Sequence, residues 1–160
     1  FERYDLSTEA GWRKMNAAYW GLCSLIDTHI GRILATLDDC GLAHNTIVVF
    51  TSDHGEMMGS HRLVGKSVMY QEAMRVPCLI RLPGQTRQQR ITGPFSQIDL
   101  VPTLLDLMGA GDADALHGTS RAAMLRNGGG AINEDAMAVW TADEKNVGKW
   151  AIAVAGSPLT

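Results

Sequence analysis

The residues best suited to chemistry stand in one short run, Asp53-His54-Gly55, directly after four apolar residues at 47–50. An apolar run of this kind predicts a strand buried on both faces, as in parallel sheets. Ligands of open α/β sheets bind beyond the carboxyl ends of the strands, so this position suits an active site. Adjacent strand side chains point to opposite faces, and Asp53 and His54 therefore share a ligand only if the chain turns, which Gly55 makes easy. The alternative is a polar loop, because Asp and Gly are ordinary loop residues.

A long helix is expected before this strand. Apolar side chains recur at three- and four-residue spacing over residues 11–39, which predicts a helix with one continuous apolar stripe, and Gly41 suits its left-handed cap. A helix that leads into a buried strand is half of a βαβ unit, and the strand that should precede it is absent from this sequence. We therefore expect the chain to be cut from something larger.

Further elements are expected downstream. Two of them are a second strand at 75–84, closed by a Pro-Gly turn, and a second amphipathic helix at 97–108. Asp99 is a suitable cap for that helix, and Gly109 ends it. Shorter segments with similar signals are a helix at 67–74, a helical turn at 120–125, and strands at 136–140 and 150–155.

Composition excludes several functions for these 160 residues. The formal net charge is −3 and no long run of like charge occurs, which argues against a nucleic-acid groove and a polybasic membrane patch. No apolar stretch approaches the length of a membrane span, and no signal peptide opens the chain. Cys23, Cys40 and Cys78 lack metal spacing and are predicted to be small buried side chains rather than a disulfide framework. The compartment, cytoplasm or periplasm, and the oligomeric state stay open.

The run at Asp53 is part of a longer ordered pattern. The pattern comprises Thr51-Ser52-Asp53-His54-Gly55-Glu56-Met57-Met58-Gly59-Ser60-His61, then Lys66, Tyr70, Glu72 and Arg75-Val76-Pro77. It resembles the sulfatases, which belong to the alkaline phosphatase superfamily, and their relatives the phosphonate monoester hydrolases. The upstream helix, with Tyr19, Gly21, Asp27 and residues 30–34, and the segment 97–105 are similar to the family as well. The resemblance covers residues 12–125 and, weakly, the tail.

The resemblance implies an α/β fold. This fold is an alkaline phosphatase-like sandwich with a mixed, largely parallel sheet flanked by helices, present here as a partial domain. Residues 1–130 would form the C-terminal half of a sulfatase-like catalytic domain, and residues 131–160 the truncated start of a smaller C-terminal sheet subdomain. A phosphoethanolamine-type transferase of the same superfamily also carries an Asp-His-Gly-Glu run. It usually needs a membrane anchor, however, and the block from Lys66 to Pro77 favours the sulfatases.

The resemblance also implies site residues. Asp53 and His54 would supply part of the shell of a divalent cation, usually Ca²⁺, although an imidazole is less typical for calcium and leaves Mg²⁺ and Mn²⁺ open. Lys66 would reach the sulfate or phosphonate group as a compact point charge. His61 would either donate a proton to the leaving oxygen or hold the loop in place. Three further residues are interpreted as scaffold, the last two as an ion pair: Tyr70, Glu72 and Arg75.

The nucleophile of the family has no counterpart in this sequence. It is a formylglycine made from Cys or Ser in a Cys/Ser-x-Pro/Ala-x-Arg motif, and neither that motif nor the family's paired metal-site aspartates occur here. We predict that the intact protein is a metal-dependent, formylglycine-type hydrolase of small-molecule sulfate esters, and that residues 1–160 alone are inactive. Two alternatives stay open: a phosphonate or phosphate ester hydrolase of the same superfamily, and a non-catalytic relative that serves binding or structure.

Overall fold

The computed structural model describes residues 4–111, 116–132, 136–140 and 150–154. The backbone forms two compact units, Phe1–Thr86 and Arg87–Thr160. The division expected after residue 130, between a catalytic part and a smaller sheet subdomain, stays a prediction. Within the ranges described, no helix combines the length and the apolar character needed to cross a membrane.

The first unit begins with helix α1, Glu9–Asp39, which confirms the predicted long helix. Thr8 precedes it in an extended conformation, and its hydroxyl oxygen accepts a hydrogen bond from the N–H of Gly11 at 3.1 Å. This bond satisfies one of the N–H groups that the first turn of a helix leaves without an intrahelical partner. At the other end Cys40 caps the helix, and Gly41 turns the chain with a φ of 65°. Local chemistry therefore defines both ends of α1.

The apolar stripe of α1 lies on the surface of the described structure. Leu22, Leu25 and Ile26 are each more than half exposed, and Ile33 is exposed to a similar degree. A stripe of this kind usually packs onto a core and supplies most of the stability of a helix in a protein. Within the described residues, packing therefore contributes little to the middle of α1.

Strand β1, Val48–Thr51, and strand β2, Cys78–Arg81, form an antiparallel pair. A short 3-10 helix, Ala43–Asn45, leads from α1 into β1, and the short helix α2, Gln71–Met74, precedes β2. The register joins four residue pairs: Val48 with Arg81, Val49 with Ile80, Phe50 with Leu79, and Thr51 with Cys78. Both predicted strands are confirmed, and the segment that carries Asp53 begins directly after β1.

Two predictions about burial in this unit are wrong. β1 is not buried on both faces, because three of its side chains are half-buried and Phe50 is 38 % exposed. The three cysteines, Cys23, Cys40 and Cys78, are exposed free thiols rather than buried side chains. The physical reason is the same in each case. Over the described residues, β1 pairs with β2 alone, and no element packs extensively along α1.

The second unit combines short strands with two short helices. Strands β3, Ile91–Thr92, and β4, Gly130–Ala131, are parallel and pair through two residues each. Strands β5, Ala136–Trp140, and β6, Trp150–Val154, are antiparallel and pair through five. A 3-10 helix, Gln97–Asp99, leads into helix α3, Leu100–Met108, and helix α4 spans Ala122–Arg126. The predicted helix at 97–108 and the predicted strands near 136 and 150 are confirmed, whereas β3 and β4 were not expected.

Asp99 does not act as the side-chain cap that the sequence predicts. It occupies the N-cap position of α3, but no hydrogen bond joins its carboxylate to the N–H groups of the helix. The carboxylate instead accepts a hydrogen bond from the N–H of Thr119 at 2.8 Å. Its residue is only 5 % exposed, so that it needs a partner from another segment rather than from water. Gly109 does end α3 in a left-handed conformation, as predicted, with a φ of 64°.

Candidate active site

A sharp turn follows β1 and places Asp53 and His54 side by side. The Ser52 hydroxyl donates to the carbonyl of His54 at 2.7 Å, and the N–H of His54 donates to Oδ1 of Asp53 at 3.0 Å. These bonds fold the backbone so that Nε2 of His54 lies 3.5 Å from Oδ2 of Asp53. The side chain of Asp53 is 82 % exposed. Although adjacent strand residues point apart, the turn brings these two side chains to the same place.

The hydrogen bonding of the His54 ring suits a shared cation. Nδ1 of His54 lies 2.7 Å from the carbonyl oxygen of Gly55, and because a carbonyl oxygen only accepts, Nδ1 carries the hydrogen. In the neutral ring, Nε2 then presents its lone pair toward Oδ2 of Asp53. Two lone pairs in this arrangement are matched by a proton or a metal ion between them. The pair therefore fits two positions in the shell of a divalent cation.

A full shell needs more ligands than this pair supplies. A hard cation such as Ca²⁺ takes six to eight oxygen ligands, and Mg²⁺ takes six. Among the residues described, no group of three His, Cys, Asp or Glu side chains is arranged to hold a metal ion. Asp53 and His54 are thus suited to complete a shell to which other groups contribute.

The pKa of Asp53 lies below its ordinary value of 3.8. Desolvation acts to raise this pKa, but backbone N–H groups and then the nearby side chains of His54 and Lys66 together outweigh it. Lys66 contributes the smallest of these effects. Asp53 is therefore ionised at neutral pH, which is the form that binds a cation.

Gly55 is required by a close contact rather than by its φ angle. Its N–H donates to the carbonyl of Ala73 at 2.8 Å, which ties the turn to α2. A Cβ atom on Gly55 would lie 1.8 Å from the carbonyl oxygen of Glu72. No side chain larger than hydrogen fits there, and the glycine therefore allows the backbone of the turn to pack directly on α2.

A closed loop follows the turn and carries both His61 and Lys66. The carboxylate of Glu56 accepts hydrogen bonds from the N–H groups of Gly65 and Met58. Backbone bonds from Met57 to Gly65 at 2.9 Å and from Gly59 to Leu63 at 2.8 Å close the loop further, and Met57 is buried beneath it. This closure returns the chain toward Asp53, which explains how Lys66 acts on that carboxylate. Glu56 was not predicted as a functional residue from the sequence. The signal that could have indicated it is a carboxylate in a segment with glycines at 55, 59 and 65.

The loop holds several residues in an unfavourable backbone conformation. Four non-glycine residues have positive φ: Met58 at 44°, His61 at 55°, Arg62 at 61° and Ser67 at 69°. Residues other than glycine rarely adopt a positive φ, and such conformations concentrate at functional sites, where the surrounding structure enforces them. The cluster therefore marks the loop as a candidate functional segment independently of any sequence motif.

His61 lines a cleft of about 680 Å³ together with Tyr70, Gln71, Glu72 and Arg75. Its ring stacks on the ring of Tyr70, with centroids 3.9 Å apart and planes inclined by 13°. The predicted ion pair between Glu72 and Arg75 is not formed, because Nη1 of Arg75 donates to Oε1 of Gln71 at 3.3 Å. The structure thus joins Asp53, His54 and Lys66 electrostatically and places His61 with Tyr70.

Glu72 carries a negative charge next to His61. Its own backbone N–H and the Ser60 hydroxyl hold the pKa of Glu72 below the ordinary value of 4.5, and the charge of His61 acts in the same direction. The cleft that His61 lines therefore also contains an ionised carboxylate.

Comparison with known proteins identifies the class of fold. The chain superimposes on a protein solved in complex with its substrate, D-glucosamine-2-N,6-O-disulfate, with a TM-score of 0.82 and 27 % identity over 95 % of this chain and 33 % of that one. It also superimposes on a phosphonate monoester hydrolase from Silicibacter pomeroyi, with a TM-score of 0.78 and 34 % identity over 86 % of this chain and 27 % of that one. The chain therefore has the α/β, alkaline phosphatase-like fold that the sequence predicts, as a partial domain.

Sequence comparison gives the family. The sulfatase family model matches residues 1–110, and the chain belongs to the sulfatase family. It is 41 % identical over 118 residues to the multifunctional alkaline phosphatase superfamily protein PehA of Trinickia caryophylli, covering 72 % of this chain and 23 % of that protein. It is 40 % identical over 95 residues to arylsulfatase K of Gallus gallus, covering 59 % of this chain and 18 % of that protein. The chain thus spans about a fifth of the length of these curated relatives.

Proposed function

We propose that the full-length protein containing this chain hydrolyses sulfate esters of small molecules. The observation that carries the proposal is the pairing of a turn that joins Asp53 and His54 with a closed loop whose Lys66 acts on the same carboxylate. A cation held by this pair and the ammonium group of Lys66 would together provide positive charge for a bound tetrahedral anion. The similarity to arylsulfatase K and to a protein bound to a disulfated glucosamine supports a sulfate ester as the substrate.

Asp53 and His54 are the residues proposed to hold the metal, with Ca²⁺ favoured by the carboxylate and Mg²⁺ or Mn²⁺ as alternatives. A bound divalent cation supplies positive charge for the negative charge that develops on the transferred group. The nucleophile proposed for the full-length protein is the formylglycine of the family. Its motif does not occur in these residues, and we accordingly propose that the chain alone neither catalyses the reaction nor binds metal tightly.

Lys66 and His61 are the catalytic residues that this chain is proposed to supply. The ammonium group of Lys66 neutralises charge on the non-bridging oxygens, and its flexible stem follows those oxygens as the bond to the leaving group breaks. His61 donates a proton to the leaving oxygen of the substrate, and it shares its cleft with the carboxylate of Glu72. The other role considered for His61, support of the loop, predicts equal effects of its loss on all substrates.

A second candidate function is hydrolysis of phosphonate or phosphate esters. The specific observations in its favour are the 41 % identity to PehA and the superposition on phosphonate monoester hydrolases from two organisms. Because sulfate and phosphonate monoesters are both tetrahedral anions, Lys66 and the metal pair serve either substrate. The third candidate function is that of a non-catalytic relative. It requires that Asp53, His54 and Lys66 have no role in turnover.

The test compares Lys66→Ala with Lys14→Ala in the full-length protein. Lys14 is an exposed lysine of α1 and serves as the matched control. We expect Lys66→Ala to lower kcat for 4-nitrophenyl sulfate by about 100- to 1000-fold, the usual effect of removing one charge-stabilising group. Metal content, measured by emission spectroscopy, stays unchanged. Full turnover by Lys66→Ala would contradict the proposed role.

The same assay separates the candidate functions. Turnover of 4-nitrophenyl sulfate exceeding that of 4-nitrophenyl phenylphosphonate supports the sulfatase, and the reverse ratio of kcat/KM supports the phosphonate hydrolase. A full-length protein that binds the metal and turns over neither ester would favour the non-catalytic relative.

A further inference from the structure

We propose that Tyr70 is a positioning residue for His61, and that its ring fixes the plane of the imidazole so that a ring nitrogen faces the leaving oxygen of the substrate. The inference rests on the proposed function, because it concerns His61 as the proton donor. Sequence analysis assigned Tyr70 to the scaffold only. The structure adds a direct contact between the two rings that gives this tyrosine a specific task.

The first argument is the geometry of the contact. The rings lie 3.9 Å apart and are inclined by only 13°, so that Tyr70 covers one face of the imidazole. Contact through the face orients the ring plane but occupies neither nitrogen. Over the part of the chain that the structure describes, neither ring nitrogen of His61 takes part in a hydrogen bond. The stack therefore holds the ring while its nitrogens stay available to a substrate.

The second argument is the conformation of the backbone under His61. A φ of 55° and a ψ of 20° place this residue in the left-handed region, which costs free energy for any side chain larger than hydrogen. An exposed ring on such a backbone has few contacts that define its direction. The stack on Tyr70 supplies one, and it favours the strained conformation in which the two rings meet.

The third argument is that Tyr70 stands on an anchored segment. It directly precedes α2, and its carbonyl accepts hydrogen bonds from Ala73 at 3.0 Å and Met74 at 3.1 Å. Ala73 is buried, and its own carbonyl accepts the N–H of Gly55. The tyrosine is thus tied to the turn that carries Asp53, and the stack relates the position of His61 to that turn.

Two charged side chains line the cleft beside the ring, Glu72 and Arg75. The backbone N–H of Glu72 and then the Ser60 hydroxyl lower the pKa of Glu72, with His61 acting in the same direction, so that this carboxyl is ionised at neutral pH. Nη1 of Arg75 donates to Oε1 of Gln71 at 3.3 Å. Tyr70 contributes the orientation of the imidazole, and Glu72 places a negative charge in the same cleft.

The test uses the full-length protein and two sulfate esters that differ in their leaving group. A poor leaving group such as an alkyl alcohol needs a proton from the enzyme, whereas 4-nitrophenolate leaves readily without one. We expect Tyr70→Ala to lower kcat for the alkyl sulfate by about 10- to 100-fold and kcat for 4-nitrophenyl sulfate by less than about 3-fold. His61→Gln should show the same selectivity, with a larger loss of kcat for the alkyl sulfate. Tyr70→Phe keeps the aromatic face and retains both rates within about 3-fold.

The controls exclude a merely structural effect. Tyr19→Ala removes a tyrosine ring of similar exposure, 41 % against 43 % for Tyr70, from α1. We expect it to leave the ratio of the two rates unchanged. Tyr70→Leu preserves an apolar side chain if the alanine variant does not fold, and it should show the same selective loss. In the double variant of His61→Gln with Tyr70→Ala, no loss beyond that of His61→Gln is expected.

The outcomes separate the two proposals. The positioning role is overturned if Tyr70→Ala loses activity equally on both esters, or if Tyr70→Phe fails to retain the rate for the alkyl sulfate. In either case, a selective effect of His61→Gln still supports His61 as the proton donor. If His61→Gln affects both esters equally, the proton-donor role fails, and the positioning role fails with it. Selective loss in both single variants without additive loss in the double variant supports both.

Discussion

The guanidinium Nε of Arg121 donates to Oδ2 of Asp99 at 3.0 Å, and the two side chains are only 11 % and 7 % exposed. This buried ion pair joins the start of α3 to the segment that leads into α4. A second bond reinforces it, because the N–H of Arg121 donates to the hydroxyl of Thr103 at 2.9 Å. Pro102, Thr103 and Ala122 are buried around the contact. The contact between α3 and the segment before α4 is therefore a buried polar one that depends on complete pairing.

Replacement of Asp99 by asparagine is expected to destabilise the chain strongly. It leaves the buried guanidinium of Arg121 without its carboxylate, and the loss of one partner of a buried ion pair costs about 3–5 kcal/mol. The measurement is the free energy of unfolding in urea. Asp106→Asn is the matched control, because the Asp106 carboxylate pairs with Arg126 at the surface and its loss should cost much less than the loss of the buried pair. Equal effects of the two variants would contradict the assigned role of burial.

The second prediction concerns pH and the hydroxyl of Ser120. Ser120 donates to Oδ2 of Asp106 at 2.6 Å, and this bond, followed by that of Arg126, lowers the pKa of Asp106 below its ordinary value of 3.8. A lowered pKa in the folded state stabilises the fold at a pH above 3.8. This contribution is lost as the pH falls through the lower, folded value. We expect Ser120→Ala to raise the pKa of Asp106 toward 3.8 and to reduce the loss of stability on acidification.

Carboxyl ¹³C NMR titration measures the pKa of Asp106 directly. Ser7→Ala is the control, because Ser7 lowers the pKa of Asp5 in the same way through a bond of 2.6 Å in the other unit. That variant should shift Asp5 and leave Asp106 unchanged. An unshifted Asp106 in Ser120→Ala would show that Arg126 alone sets its pKa.

A third prediction distinguishes two reasons for glycine near the site. In Gly55→Ala the new Cβ meets the Glu72 carbonyl oxygen at 1.8 Å, so that the turn has to move away from α2 and lose its bond to Ala73. The expected loss in the free energy of unfolding is about 3 kcal/mol, from overpacking and a lost hydrogen bond. In Gly65→Ala the φ of 81° is unfavourable, but no atom lies within 4 Å of the new Cβ.

The Gly65 variant therefore isolates backbone strain, with an expected cost of about 1–2 kcal/mol. Urea unfolding of the two alanine variants measures both values. A cost in Gly55→Ala that does not exceed the cost in Gly65→Ala would rule out the close contact with α2 as the reason for Gly55.

Sequence analysis located the main elements because their signals are local. The spacing of apolar side chains predicted α1, and the glycines at 41 and 109 predicted its end and the end of α3, all of which the structure confirms. The ordered pattern from Asp53 to Pro77 indicated the sulfatase family, which the comparisons confirm. The roles assigned to Asp53, His54, His61 and Lys66 stay predictions until the proposed variants are measured.

The sequence was less informative where a residue has a partner far along the chain. Asp99 matches a helix cap by its type and position, yet Arg121 and Thr119 bind its carboxylate instead. Burial likewise could not be read from local signals: a continuous apolar run predicted a buried β1, and residue type without metal spacing predicted buried cysteines. Such signals report which side chains are apolar, whereas burial depends on which segments pack against them.

The turn at Asp53 shows the division most clearly. By itself, the sequence determined that a carboxylate, an imidazole and a glycine follow a strand, because residue order and strand direction are local properties. Only the tertiary structure decided that Gly55 packs on the backbone of Glu72, that Lys66 acts on Asp53, and that His61 stacks on Tyr70. Each of these contacts joins segments that approach only when the loop closes on α2, and that closure depends on the packing of the whole unit.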